Sequence, residues 1–266
     1  NIAFFKQYDR IYKMARKTEK VLGYDVDLMT FDEAVSFVID KIGKEEGLQI
    51  VTINPEMIEL ANKNKVFSNI IKNADLIVPD GSGIKLALKL KGIKQEQIPG
   101  IDLAKELLDS CSFMGYPVAL IGAREHVIET TVKRLRAEFK NLDICYYRNG
   151  YFTIQKENEI IEKLKETEPK LVLVALGAPK QEIFIQKCRK ELPAAAFIGV
   201  GGTFDVWSGE VERAPEFFRV MGWEWIYRTY KQPSRLKRIY KTLPLFLFKA
   251  IIDSVKNKNH SALKEN

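Results

Sequence analysis

Short apolar runs alternate with helical apolar spacing along most of this chain. The runs at residues 48–53, 76–78, 117–121, 144–147, 171–176 and 194–200 are rich in Val, Ile, Leu and Ala and have the length of buried strands. Between them, apolar residues recur three and four apart. Ala34, Val35, Phe37, Val38 and Ile42 form one such stripe, and further helices are expected at 57–61, 66–71, 84–90, 103–110, 127–135 and 157–165. Thr30 followed three residues later by Glu33 is a capping box that opens the first of these helices. Pro55 suits the first turn of another, and Asp102 is placed to cap the helix at 103–110. Residues 21–28 alternate around Gly23 and read as a short hairpin or edge strand.

Several strands stop at Asn54, Asp80, Gly122 or Gly177 and turn straight into a helix. Strand, turn and helix repeated in this way predict an α/β fold, a doubly wound, mostly parallel sheet with its ligand edge on those turns. The turns bring Thr52, Asn54, Glu56, Asp80, Ser82, Lys180, Gln181, Glu182 and Asp205 to one sheet edge. Gly81, Gly83, Gly177, Gly201 and Gly202 let the backbone come close to a ligand there. Asp80, at a helix start, is a candidate general base for a substrate hydroxyl; an ordinary turn or cap is the plainer reading of one Asp-Gly pair. There is no GxGxxG after the first strand and no GxxxxGK[ST], which removes the usual dinucleotide and P-loop sites.

Both ends of the chain depart from this pattern. Residues 1–20 place Phe4, Phe5, Tyr8, Ile11, Tyr12 and Ala15 on one helical stripe, with Lys and Arg elsewhere. Such a helix either lies on a membrane surface or packs on the protein. Beyond Arg213-Ala214-Pro215, Trp225, Ile226, Tyr227 and Tyr230 precede a run of Arg and Lys, then an apolar stretch from Leu243 to Ile252. That pairing of basic and apolar segments suits a membrane surface or a lipid phosphate, against the plainer reading of a C-terminal helical pair. The expected organisation is an N-terminal helix at 1–20, an α/β core at 21–212 and a basic helical appendage at 213–266. Trp207 and Trp225 are expected in the core or between these parts.

A net charge of +7 favours an anionic partner, which leaves a nucleic-acid-binding protein as an alternative. Three scattered cysteines and only two histidines, His126 and His260, argue against a disulfide framework, a zinc site or a Ser-His-Asp triad. No apolar run is long enough to span a bilayer, and a cytoplasmic location is expected.

Taken together, several pieces resemble the WecG/TagA/CpsF family of bacterial glycosyltransferases over about residues 21–245. They are Thr52-Ile53-Asn54-Pro55-Glu56, Pro79-Asp80-Gly81-Ser82-Gly83, Gly100-Ile101-Asp102, Gly150-Tyr151-Phe152, Ala175-Leu176-Gly177-Ala178-Pro179-Lys180-Gln181-Glu182, Gly199-Val200-Gly201-Gly202-Thr203-Phe204-Asp205, Arg213-Ala214-Pro215 and Glu224-Trp225-Ile226-Tyr227-Arg228. The resemblance implies a Rossmann-like core and an inverting, metal-independent transfer from a UDP-sugar to a polyprenyl-diphosphate-linked sugar, at the inner face of the cell membrane. In the teichoic-acid branch the sugar is N-acetylmannosamine. No cofactor is implied, a homo-oligomer is left open, and nucleic acid is no partner under this reading. Asp80 matches the catalytic base, with Thr52 and Gln181 in the same pocket. Asn54, Gly81, Ser82, Gln97, Gly177, Lys180, Glu182, Gly201, Gly202 and Asp205 are the expected substrate contacts. Arg228, Arg235 and Arg238 match arginines of an appendage that closes over the site and neutralises a diphosphate. Gln97 stands where teichoic-acid members usually carry an arginine, which bears on the choice of donor.

Overall fold

The computed structural model describes residues 16–221, 224–231 and 236–262. Six of the apolar runs form a parallel sheet: β3 (Leu48–Ile53), β4 (Leu76–Pro79), β5 (Val118–Gly122), β6 (Ile144–Arg148), β7 (Leu171–Ala175) and β8 (Ala196–Gly199), in the order β4-β3-β8-β7-β5-β6. Successive side chains of a strand point to opposite faces, and both faces here are covered. On one face Leu120, Leu173 and Ile198 meet α1 (Phe31–Gly43), α5 (Gly100–Met114) and α6 (Glu125–Glu138). On the other, Ala119, Val172 and Phe197 meet α7 (Ile154–Thr167) and α8 (Lys180–Glu191). This is the expected doubly wound α/β fold.

At the β4 end of that second face lie α2 (Pro55–Ala61), α3 (Lys65–Lys72) and α4 (Ser82–Leu90), packed on Val51, Ile53 and Ile77. The Thr30 capping box forms as expected, with Glu33 N–H donating to Thr30 Oγ1 at 3.2 Å and Thr30 N–H to Glu33 Oε2 at 2.7 Å.

The expected hairpin is present as β1 (Thr18–Val21) paired antiparallel with β2 (Tyr24–Asp27). Residues 1–15 of the expected N-terminal helix lie outside the described residues. Its last part is corrected: Thr18, Glu19 and Lys20 are strand, because their backbone pairs with β2 and Val21 is buried beneath. The boundary drawn at residue 20 therefore falls inside β1. The hairpin packs beside β4, the outermost strand, and Asp27 makes the link. Its carboxylate is fully buried, accepts from Ile77 N–H at 2.7 Å, and is paired with Arg16 through Nε at 2.7 Å and Nη2 at 2.9 Å. Burial pushes the Asp27 carboxyl up, against the pull of the Ile77 amide and Arg16.

After the sheet come α9 (Thr203–Trp207), α10 (Glu216–Val220), α11 (Glu224–Lys231) and α12 (Leu236–Ala262). Phe246 and Ala250 of α12 are buried in the cluster formed with α2 and α4. Two ion pairs flank that contact: Lys249 Nζ to both Glu59 oxygens at 2.8 and 2.7 Å, and Lys91 Nζ to Asp253 at 2.8 Å. Trp207 is half-buried against the core, 6.0 Å from the Phe204 ring; the side chain of Trp225 lies outside the described residues.

Candidate active site

The carboxyl ends of the strands carry the chemistry, and their order in the sheet sets which residues meet. Asp80 follows β4, Asn54 follows β3, Gly201 and Gly202 follow β8, Gly177 follows β7, and Gly150 lies beyond β6. Asp80 N–H donates to Ile53 O at 2.8 Å, which fixes its turn to the neighbouring strand. Gly81 then takes φ +89°, a left-handed value that suits glycine, as the chain swings into α4. On the other side Ile98 N–H donates to Pro79 O at 2.8 Å and draws the Gln97–Gly100 loop over the strand end. The approach is close, since a Cβ at Gly100 would stand 2.9 Å from Thr52 Oγ1. Asp80, Thr52, Gly81 and Gln97 are therefore brought together. Asn54 Oδ1 accepts from Met57 N–H at 3.0 Å and so caps α2 at the same edge.

Among the described residues two clefts open on this edge. The larger, about 620 Å³, is lined by Gly150, Tyr151, Gly177, Lys180, Gly201, Gly202 and Asp205, with Arg124 beside Asp205 at 3.8 Å. The smaller, about 400 Å³, lies beside α4 and is lined by Ser82, Lys85, Lys89, Gln97, Asp102, Arg213 and Met221. Asp102 does not cap its helix, which starts two residues earlier behind Pro99. Instead both its oxygens accept from Arg213 Nη2, at 2.7 and 2.6 Å. That ion pair ties the Arg213-Ala214-Pro215 segment to the core.

Gln181 and Glu182 are buried, 5 % and 1 % exposed. Gln181 Oε1 accepts from Gly177 N–H and Gly201 N–H, each at 3.1 Å, and its Nε2 donates to Glu182 Oε1 at 2.8 Å. Both ends of the amide are thus engaged by the protein. Glu182, an expected substrate contact, accepts from Gln181 here, and burial pushes its carboxyl up to about 7. Arg235 lies outside the described residues, as do the side chains of Arg228 and Arg238. The Arg213–Asp102 pair and the cleft-lining Tyr151 and Arg124 were not anticipated as site residues. Arg213, Asp102 and Tyr151 lie in the Arg213-Ala214-Pro215, Gly100-Ile101-Asp102 and Gly150-Tyr151-Phe152 pieces, whereas Arg124 lies in none of them.

Among the described residues no three His, Cys, Asp or Glu side chains converge as metal ligands would. Among them also, no helix is long and apolar enough to cross a membrane.

The chain is 39 % identical over 199 residues to N-acetylglucosaminyldiphosphoundecaprenol N-acetyl-beta-D-mannosaminyltransferase of Bacillus spizizenii, covering 74 % of this chain and 77 % of the relative. The model of the glycosyl transferase WecG/TagA/CpsF family matches residues 19–260, from the hairpin through α12. That span takes in the strand-end turns, both clefts and the docked C-terminal helix, and it sets aside the nucleic-acid reading: the chain belongs to the WecG/TagA/CpsF family and is a glycosyltransferase.

Proposed function

We propose that this glycosyltransferase moves N-acetylmannosamine, or a related hexose or uronic acid, from a UDP-sugar to a hydroxyl of a polyprenyl-diphosphate-linked sugar in cell-wall or surface polysaccharide synthesis. The observation that carries the reading is the Asp80 turn, held against Ile53 and flanked by Ser82 and Gln97 of the smaller cleft. The activity named for the Bacillus spizizenii relative supports the choice of sugars.

The larger cleft suits the donor. Tyr151 offers an exposed ring for a base, Lys180 a cation for a diphosphate, and Asp205 an acceptor for sugar hydroxyls. β4 and β8 lie two strands apart, roughly 10 Å, which leaves room for a sugar between a diphosphate near Gly202 and a base at Asp80. The smaller cleft suits the acceptor, since Lys85 and Lys89 stand one helical turn apart near the apolar Leu86 and Met221.

The reaction is a single displacement. The Asp80 carboxylate takes the proton of the acceptor hydroxyl while that oxygen bonds to the anomeric carbon, on the face opposite UDP. The bond from that carbon to the diphosphate oxygen breaks, UDP leaves with the electron pair, and the configuration inverts. Arg228, Arg235 and Arg238 neutralise the diphosphate charge, so that no metal is needed. Leu245, Phe248, Ile252 and Val255 share an exposed apolar face of α12, which supports a peripheral seat on the cytoplasmic membrane surface.

The test is UDP release by the purified protein with vesicles carrying a lipid-diphosphate-linked N-acetylglucosamine. Release should require both a UDP-sugar and the lipid acceptor, persist in chelator, and give the inverted anomer. Equal release without the acceptor, or loss of release in chelator, would overturn this reading.

A further inference from the structure

One side-chain oxygen joins two turns of the larger cleft. Gln181 Oε1 receives the N–H of Gly177, at the end of β7, and the N–H of Gly201, at the end of β8. A primary amide turned over by 180° would exchange its oxygen for an NH2 group, and both of these bonds would be lost. The orientation therefore depends on what stands at the other end of the amide. There Glu182 Oε1 accepts from Gln181 Nε2 at 2.8 Å. The strand behind leaves this pair little slack: a Cβ at Gly199 would come within 2.4 Å of Gln181 Nε2 and 3.1 Å of Glu182 Oε1.

We propose that Glu182 is a positioning residue of the transferase, which locks the Gln181 amide so that its oxygen holds the Gly177 and Gly201 turns in the shape that receives the donor nucleotide. The proposal rests on the reading of the larger cleft as the donor seat. It gives a role to a buried acid that the reaction itself does not use. The second oxygen of Glu182 is buried and has no hydrogen-bond partner among the described residues, so packing alone does not account for a carboxyl here. A carboxyl raised to about 7 is substantially protonated at neutral pH, and Oε1 still accepts in that state.

Two variants separate acceptor from volume. Glu182→Gln keeps an oxygen for Gln181 Nε2, whereas Glu182→Met keeps the bulk and removes the acceptor. In Glu182→Met the KM for the UDP-sugar should rise about tenfold or more, with kcat at saturating donor within about threefold of the parent. Glu182→Gln should restore both constants to within about twofold. On the free enzyme, amide hydrogen exchange at Gly177 and Gly201 should accelerate together in Glu182→Met and remain protected in Glu182→Gln. If Glu182→Met does not fold, Glu182→Asp withdraws the oxygen by one methylene and is read in the same way. Unchanged exchange at both glycines, or equal acceleration in Glu182→Gln, overturns the proposal. Loss of protection at both with no change in donor KM upholds the lock and removes the donor from that cleft.

Discussion

The two clefts of the sheet edge are built by different means. The larger is made of turns that leave adjacent strands together with the facing sides of α7 and α8, and the Gln181–Glu182 pair joins two of those turns. The smaller is assembled from distant pieces: α4, the Gln97–Gly100 loop and the segment around Arg213. Arg213 reaches Asp102 in its wall, and α12 docks on α2 and α4 through Phe246, Lys249 and Asp253. A site made of strand ends is as rigid as the sheet. One completed by docking can open and close without disturbing the core, which suits a large lipid-linked acceptor.

The sharpest break is at the turn after β4, beside Ser82 of the smaller cleft. Asp80→Asn should lower kcat roughly 10²- to 10⁴-fold while UDP affinity and the unfolding temperature stay near the parent values. Turnover at the parent rate would remove Asp80 as the base. Next, Phe246→Ala empties a fully buried site on α12, at a cost of about 3–5 kcal/mol where the surroundings cannot collapse. That loss should fall on docking, so lipid-dependent turnover drops while UDP binding by calorimetry is unchanged. Weakened UDP binding in that variant would mean that the two clefts are one mechanical unit.

Glu182→Gln probes the rigid side by its pH dependence. In the folded state the Glu182 carboxyl is pushed up to about 7, against an ordinary 4.5. Its contribution to stability is therefore complete below pH 4.5, falls as pH rises through 7, and is then constant. Denaturant unfolding should show Glu182→Gln gaining on the parent across that window, by at most ~3 kcal/mol. The smallest effect is expected from Arg213→Ala. About a third of each partner is exposed, so the pair contributes about 1 kcal/mol. The acceptor KM should rise and the donor KM should not, as initial-rate kinetics would show.

The same contrast decides what could be read from the chain. The strands β3, β4 and β7 were legible to within a residue, because apolar runs ending in Asn54, Asp80 and Gly177 combine burial with a turn. The hairpin strand β1 was not, since three of its four residues are polar and its pairing is a backbone property. Asp102 was misread because a carboxylate near a helix start serves equally as a cap or as an ion-pair partner. Which one occurs depends on Arg213, 111 residues away. The sequence places Gln181 and Glu182 on the ligand edge, but shows neither their burial nor their pairing with each other. They are buried because Gly199 leaves the space they occupy, and the Gly177 and Gly201 amides satisfy the Gln181 oxygen there.

Asp27 gives the architecture a load path. Its carboxylate grips the amide of Ile77, three residues before Asp80 on the sheet's outermost strand, and is itself gripped by Arg16. The Arg16–Asp27 pair thus meets the strand about 10 Å from the proposed base. The placement of Asp80 is anchored from two sides: by the sheet, and by a tether near the start of the chain that works like a guy-line on the last post of a fence.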